Sequence, residues 1–453
     1  MQLSASSRLA FLVMVVVMLS AVDIAASTVI QLERIVPLNS SLVSVEHHRA
    51  RDRARHARLF SGLLNFSVYG SADSFYYGIY FTKVKLGTPP REFNLQIDTG
   101  SDLTWVNSKS CPSCPRSSRF GIVPCSDKYN ICETMCSGND KYCGYTVKYM
   151  NGARTSGFYV GDVFHFESIP TTSTSPNASA GILFGVSTYR SGFLADVDLA
   201  VDGIFGFGKG DLSILSQLYY RGVTPQVFSH CLKGTGGGVF VLGEVSVPGM
   251  VYTSLVPSRP HYGVHLESIA VNGKLLSVDP QAFMPSIDRG TFLYTGTTLS
   301  YLVIEAYDML VRTVTDSVSK FGAPSTINGL QCYAISTRLF PLMSLNLAGG
   351  ASLALKPEDY LILSNDGSKW CIGFMKLQGQ TILGDLVLKD KVFVYDLIRQ
   401  RIGWANYDCS SSVNVSVSKD DFFYPKKSSS GSSSRDLLAL LLLVSIVSAF
   451  FST

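Results

Sequence analysis

Two stretches of this chain are variations on one pattern. Residues 95-LQIDTGSDLTWV-106 and 290-GTFLYTGTTLSYL-302 each run apolar into X-Thr-Gly-Ser/Thr and leave apolar. X is Asp98 in the first copy and Tyr294 in the second. Each copy is followed much later by an apolar-apolar-Gly step, 203-GIFGFG-208 and 382-ILGD-385. An internal repeat of this kind implies two similar structural units. The first lobe is expected over about 76–250 and the second over about 255–410, joined near Pro248–Pro260.

The sequence around the repeats is strand-like. Short β-branched and aromatic runs such as 77-YGIYFTKVKLG-87, 239-VFVLGE-244 and 391-KVFVYDL-397 alternate with Gly, Pro, Asn and Asp turns. That pattern predicts an all-β protein. The best helical periodicity is 303-VIEAYDMLVRTVTDSVS-319. With 46% hydrophobic and 16% charged residues, the composition is globular. A length of 453 residues suits a bilobal body with additional ends. The net charge of +4 is too mild to imply a nucleic-acid partner, and five arginines and three histidines crowd between His47 and Arg58.

Both ends carry apolar runs. Arg8, the run Leu9–Val22 and the small residues Ala25-Ala26-Ser27 read as a signal peptide over 1–27. The basic stretch 28–75 reads as a propeptide. At the other end, a Ser-rich stalk over 411–436 precedes an apolar tail in 437–453. Small residues, a polar spacer and a terminal apolar tail form a GPI-attachment signal with Ser428 as the attachment residue, Ser429 and Ser430 being near-equal candidates. A tail-anchored span is the competing reading of that tail. The expected location is therefore the extracellular face of the plasma membrane, reached through the secretory pathway.

Ten cysteines fit that compartment as disulfides. Cys111, Cys114, Cys125, Cys132, Cys136 and Cys143 are clustered, whereas Cys231, Cys332, Cys371 and Cys409 are scattered. Spacing alone leaves their connectivity open. The Cys111/Cys114 pair has zinc-like or redox-like spacing, but export favours a disulfide-stapled loop. Asn39, Asn65, Asn177 and Asn414 stand in glycosylation sequons.

The residues 97-IDTGSDLTWV-106 resemble the first active-site loop of pepsin-like aspartic peptidases. The cysteine-rich stretch after it, 228-FSHCL-232 and 402-IGWANYDC-409 resemble the plant nepenthesin- and nucellin-like branch of that family. The resemblance covers about 28–410 and implies an all-β, bilobal fold with a cleft between lobes. It also implies a zymogen, a monomer, a polypeptide substrate and no metal or cofactor. Peptide hydrolysis at acid pH can use two carboxylates sharing one proton, because like charges about 3 Å apart cannot both ionise. The charged carboxylate draws a proton from water, and the neutral one hydrogen-bonds the scissile carbonyl. On this resemblance Asp98 is one catalytic acid and Ser101 holds its carboxylate. Thr99 and Thr295 brace the loops, Gly100 and Gly296 let the backbone turn, and Thr297 completes the second loop. The stretch 147-VKYMNGARTSGFYVGD-162 resembles the family's hairpin flap, with Tyr149 as its tyrosine and Trp105 as that tyrosine's partner.

The departure is at the second loop. The family pattern Gly-Thr-apolar-apolar-Asp-Ser/Thr-Gly-Thr-Thr-Leu is matched by residues 290–299 except for Tyr294 at the acid's position. Asp288-Arg289-Gly290-Thr291 offers Asp288 as an alternative second acid, but it lies six residues out of register. A phenol with a pKa of about 10 cannot act as the carboxylate base, although it can donate a hydrogen bond. Two functions follow: an aspartic endopeptidase, or a non-catalytic relative that binds peptides or cell-surface partners. Other hydrolase motifs are missing, and His165, His230, His261 and His265 have no ligand-like partner in spacing.

Overall fold

The computed structural model describes residues 63–70, 79–107, 143–169, 177–195, 201–286, 289–411 and 415–416. The expected signal peptide, the basic cluster Arg49–Arg58, Asn39, Cys111, Cys114, Cys125, Cys132, Cys136, Asp288, Asn414, Ser428 and the apolar tail lie outside these residues.

The fold is mainly β, as the alternating runs predict. The first lobe carries β1 (Leu63–Gly70), β2 (Tyr80–Leu86), β3 (Arg91–Asp98), β4 (Trp105–Asn107), β5 (Gly144–Lys148), β6 (Arg154–Ile169), β7 (Asn177–Ser191), β8 (Gly203–Gly206), β9 (Val227–Leu232) and β10 (Gly238–Leu242). Strand β2 shows why such runs form strands. Tyr80, Thr82, Val84 and Leu86 are buried, whereas Lys83 and Lys85 face solvent, the two-residue alternation of a sheet with one wet face. These strands belong to one sheet in the order β9-β10-β1-β2-β3-β8-β4-β7-β6-β5.

Strand β1 falls inside the stretch 28–75 read as a propeptide. It lies in the sheet between β10 and β2, so the strands of the first lobe begin before residue 76. The physical reason is local patterning. Leu64, Phe66 and Val68 point into the core while Asn65, Ser67 and Tyr69 are exposed. The basic composition upstream hides this short alternation when the whole stretch is averaged. Asn65, one of the four sequons, is thus on the solvent face of β1, and Asn177 begins β7.

The same sheet continues into the second lobe. Strand β9 pairs with β10 on one side and with Lys391–Asp396 on the other. Every residue of β9 and of Lys391–Asp396 is buried. Phe228 stacks on Tyr395 with ring centroids 4.4 Å apart, and the Cys231–Cys409 disulfide joins the two chain segments beside them. Burial of each such large side chain contributes roughly 1.5–3 kcal/mol. The second disulfide, Cys332–Cys371, links directly paired strands. Cys143 is also disulfide-bonded.

The second lobe holds the expected helix as Ile304–Val318. Ala306, Leu310, Val314 and Val318 form its buried stripe, one residue per turn on one face. The sequence repeat is also a repeat in topology. β3 ends at Asp98, β4 returns, and β8 slots between them, parallel to β3 (Asp98 opposite Gly206) and antiparallel to β4. In the second lobe Gly290–Leu293 ends just before Tyr294 and Ser300–Val303 returns. Gln380–Leu383 slots between them, parallel to the first and antiparallel to the second. The apolar-apolar-Gly steps seen in sequence run through these central strands, in which every residue but the half-buried Gln380 is buried.

Candidate active site

The two loops meet back to back. Thr99 N donates to Thr295 Oγ1 at 3.2 Å, and Thr295 N donates to Thr99 Oγ1 at 3.1 Å. Each hydroxyl then donates across to the other lobe, Thr99 Oγ1 to the Leu293 carbonyl and Thr295 Oγ1 to the Ile97 carbonyl, both at 3.0 Å. Both threonines are fully buried. This fixes the positions of residues 98 and 294, one on each loop.

Asp98 is buried and held on two sides. Gly100 N donates to Oδ1 at 2.8 Å, and Ser101 Oγ donates to Oδ2 at 2.5 Å. Gly296 of the second loop is close to the carboxylate: a Cβ there would meet Asp98 Oδ1 at 2.5 Å. Close approach, rather than the turn expected from sequence, is what requires glycine at this position, since neither Gly100 nor Gly296 has a positive φ.

Tyr294 occupies the matching point of the second loop. Its backbone N donates to the Leu383 carbonyl at 3.0 Å, and its carbonyl accepts from Thr297 N. The ring passes over Gly100, where a Cβ would meet Tyr294 Cδ1 at 3.2 Å and Asp98 Oδ1 at 3.1 Å. The phenol ring and the carboxylate are therefore neighbours across one residue. Tyr294 is 5% exposed. Its ring packs in a buried cluster with Phe292 and Ile382.

The flap stands over the first loop. Strands β5 and β6 form the hairpin, and Tyr149 N donates to the Ala153 carbonyl at 2.9 Å. Gly152 adopts φ +83, which the Asn151-Gly152 turn needs. Trp105 Nε1 donates to Tyr149 Oη at 2.8 Å. The aromatic pair expected from the resemblance is thus a direct contact, anchored by a tryptophan that is 1% exposed.

Four further residues around the site had no role in the sequence reading. His261 packs edge-on against Tyr294, with ring centroids 5.3 Å apart, and against Phe292 at 5.8 Å. The next residue, Tyr262, is buried and donates its hydroxyl to the Phe207 carbonyl at 2.7 Å. Adjacent side chains on an extended segment point in opposite directions, so Tyr262 enters the core while His261 turns to the loops. Asp102 accepts from Gly210 N at 2.8 Å and lies near His261. Asp385 is buried behind the second loop, with its backbone N donating to the Thr297 carbonyl at 2.8 Å and its Oδ1 unpartnered. The only sequence signal for Asp385 was its place after the apolar-apolar-Gly step; His261 gave none, because contacts between distant segments leave no spacing.

Burial sets the electrostatics. It pushes the Asp98 carboxyl up from its ordinary range, against the hydrogen bonds of Ser101 and Gly100 and the attraction of His261; Asp102 adds a small push upward. Burial, then the charge of Asp98, pushes the Tyr294 phenol up. Tyr149 is raised for the same two reasons, in the same order. Burial lowers His261, against the pull of Asp102, Asp98 and a backbone hydrogen bond at Gly100. Asp385 is raised well above the usual carboxyl range by burial and then by Asp98. Among the described residues no cluster of His, Cys, Asp and Glu could hold a metal ion.

Family models for the N-terminal and C-terminal parts of a xylanase inhibitor match residues 80–244 and 261–406. Aspartic proteinase 36 of Arabidopsis thaliana is 35% identical over 396 residues, spanning 81% of each chain. Nepenthesin-2 of Nepenthes gracilis is 30% identical over 366 residues, spanning 74% of this chain and 79% of its own. The chain belongs to the plant pepsin-like aspartic proteinase family. Solved structures agree on the bilobal fold of this family. The basic 7S globulin conglutin gamma from lupine seeds aligns with a TM-score of 0.62 at 21% identity, over 76% of this chain and 95% of that one. The crystal structure of edgp aligns with a TM-score of 0.64 at 19% identity, over 77% of this chain and 96% of that one. Among the described residues the two matching loops carry one carboxylate, Asp98, and one phenol, Tyr294.

Proposed function

We propose that this protein binds extended polypeptides between its lobes and does not hydrolyse them by the shared-proton carboxylate mechanism at acid pH. The observation that carries this reading is Tyr294, whose ring lies next to Asp98 at the position of the second acid. The braced loops, the Trp105–Tyr149 pair and the held carboxylate support peptide binding there. Losing one member of a cooperating catalytic set removes most of the rate, typically several orders of magnitude. Relatives named aspartic proteinases support polypeptide as the ligand class. The sequence ends support export and a GPI anchor, so the binding site would face the cell exterior.

The test is a reversion series with labelled denatured casein at about pH 3–5, the range of carboxyl titration. Wild type should bind the polypeptide and leave it essentially uncut. Tyr294→Asp should gain cleavage by at least about 100-fold, and Asp98→Asn in that background should abolish it. Strong acid cleavage by the wild type, lost in Asp288→Asn and kept in Tyr294→Phe, would make Asp288 the second acid and overturn the proposal.

A further inference from the structure

The flap has a second face. Successive residues of a strand point to opposite sides. Tyr145, Tyr149 and Thr155 take the inner side, where Trp105 Nε1 donates to Tyr149 Oη and where Tyr145 Oη and Thr155 Oγ1 lie 3.3 Å apart in the core. Lys148, Arg154 and Tyr189 take the outer side. We infer that this outer face binds a carboxylate-bearing polysaccharide, a polyuronate, at a site separate from the peptide site proposed above.

Strand register lays the face out as a grid. Lys148 of β5 stands directly opposite Arg154 of β6, which stands opposite Ser191 of β7. The next row is Thr146, Ser156 and Tyr189, again directly opposed. Residues so placed share a face, with Cβ atoms about 4.5–5.5 Å apart. Thr146, Lys148, Arg154 and Tyr189 are exposed, Tyr189 to 58%, and Ser156 and Ser191 are half-buried.

The charges on this grid call for an anion. Like charges directly opposed across a sheet destabilise it. Lys148 and Arg154 are opposed in this way, and neither side chain has an ion-pair or hydrogen-bond partner among the described residues. Residues 143–159 and 185–195, which hold the hairpin and the strand behind it, carry Lys148, Arg154 and Arg190 and no Asp or Glu. A bound carboxylate turns the repulsion into two attractions. The guanidinium takes it through two parallel N–H bonds, and the ammonium adds a point charge.

The rest of the grid fits a sugar better than a peptide. A pyranose ring offers a face of C–H groups that lies flat on the negative face of an aromatic ring. Tyr189 leaves such a ring exposed one row from the cations. Thr146, Ser156 and Ser191 carry hydroxyls, which can both donate to and accept from the hydroxyls of a sugar. Each unit of a polyuronate has a carboxylate and a C–H face, so one chain serves both rows. An acidic peptide brings the carboxylates but leaves Tyr189 without that face. Export, proposed above, puts this surface among extracellular polymers.

The experiment measures binding of polygalacturonate to the full-length protein by calorimetry at about pH 7, where carboxylates are ionised. Binding is expected, and it should weaken between about 50 and 200 mM salt as exposed charges are screened. Lys148→Gln together with Arg154→Gln should weaken it about 10-fold, the combined effect of two exposed ion pairs. Lys274→Gln together with Lys376→Gln removes the same charge from exposed positions of the second lobe and should leave binding unchanged. Tyr189→Ala should cost about 3- to 10-fold, and Tyr189→Phe nothing. The fully methyl-esterified polymer keeps the sugar without the charge, and poly-L-glutamate keeps the charge without the sugar. Each should bind about 10-fold more weakly than polygalacturonate. No binding of polygalacturonate, or equal losses in the two double variants, overturns the inference. So does an ester that binds as tightly as the acid. Poly-L-glutamate binding as tightly as polygalacturonate makes an acidic polypeptide the occupant and overturns it too. If thermal unfolding shows that a flap variant folds poorly, the three polymers compared on the wild type decide.

Discussion

Thr99 and Thr295 each accept the other's backbone N–H while donating their own hydroxyl into the opposite lobe. Replacing either by valine keeps the shape and deletes two of these four bonds, leaving a buried N–H and a buried carbonyl unpaired. Each single variant should lose about 1–3 kcal/mol of stability. The double variant should lose less than the sum, because both changes dismantle one network. Denaturant unfolding of the two single variants and the double variant measures this; strict additivity would count against a shared brace.

Trp105 and Tyr149 make a second testable pair. Trp105→Phe removes the indole N–H that donates to the flap hydroxyl and frees the hairpin tip. Peptide affinity should fall about 5- to 10-fold, as expected for one neutral hydrogen bond of about 1 kcal/mol. Tyr149→Phe should do the same, and the two together little more. Unchanged affinity in both would mean that the flap contributes nothing to binding.

Asp98 and Asp385 both have raised carboxyls, with burial as the first cause. A raised carboxyl binds more protons folded than unfolded. Its contribution to stability is therefore full at low pH and is lost as pH climbs from the unfolded pKa through the folded one. Asp385→Asn should flatten that decline, and Asp98→Asn should do so to a smaller extent, given its hydrogen bonds to Ser101 and Gly100. Unfolding free energy measured across the acid-to-neutral range for the three proteins tests the sign. Steeper decline in the asparagine variants contradicts it.

The C-terminal tail Leu437–Phe451 and its Ser-rich spacer predict release from membranes by phospholipase C specific for inositol phospholipids. Retention after digestion that frees a GPI-anchored control would favour a membrane span. N-terminal sequencing of the purified protein should find a start beyond Arg58 and no later than Leu63, since β1 is part of the sheet.

Much of this protein is legible in its sequence because its signals are local. The two-residue alternation of β2, the four-residue stripe of Ile304–Val318 and the repeated X-Thr-Gly loops are properties of neighbouring residues, and they determine strand, helix and a duplicated lobe. So does the oddity at Tyr294, visible against a motif matched at every neighbouring position. Tertiary structure alone decided the rest. Pairing of Cys231 with Cys409 and of Cys332 with Cys371 required the strands to be brought side by side. The place of β1 depended on which edges were free to pair with it. His261 and Asp385 reach Asp98's surroundings through the meeting of segments far apart in the chain, and burial there, not residue type, raises one carboxyl and lowers one imidazole. Periodicity reports which face of an element is apolar; only packing reports what that face, and the residues beside it, will meet.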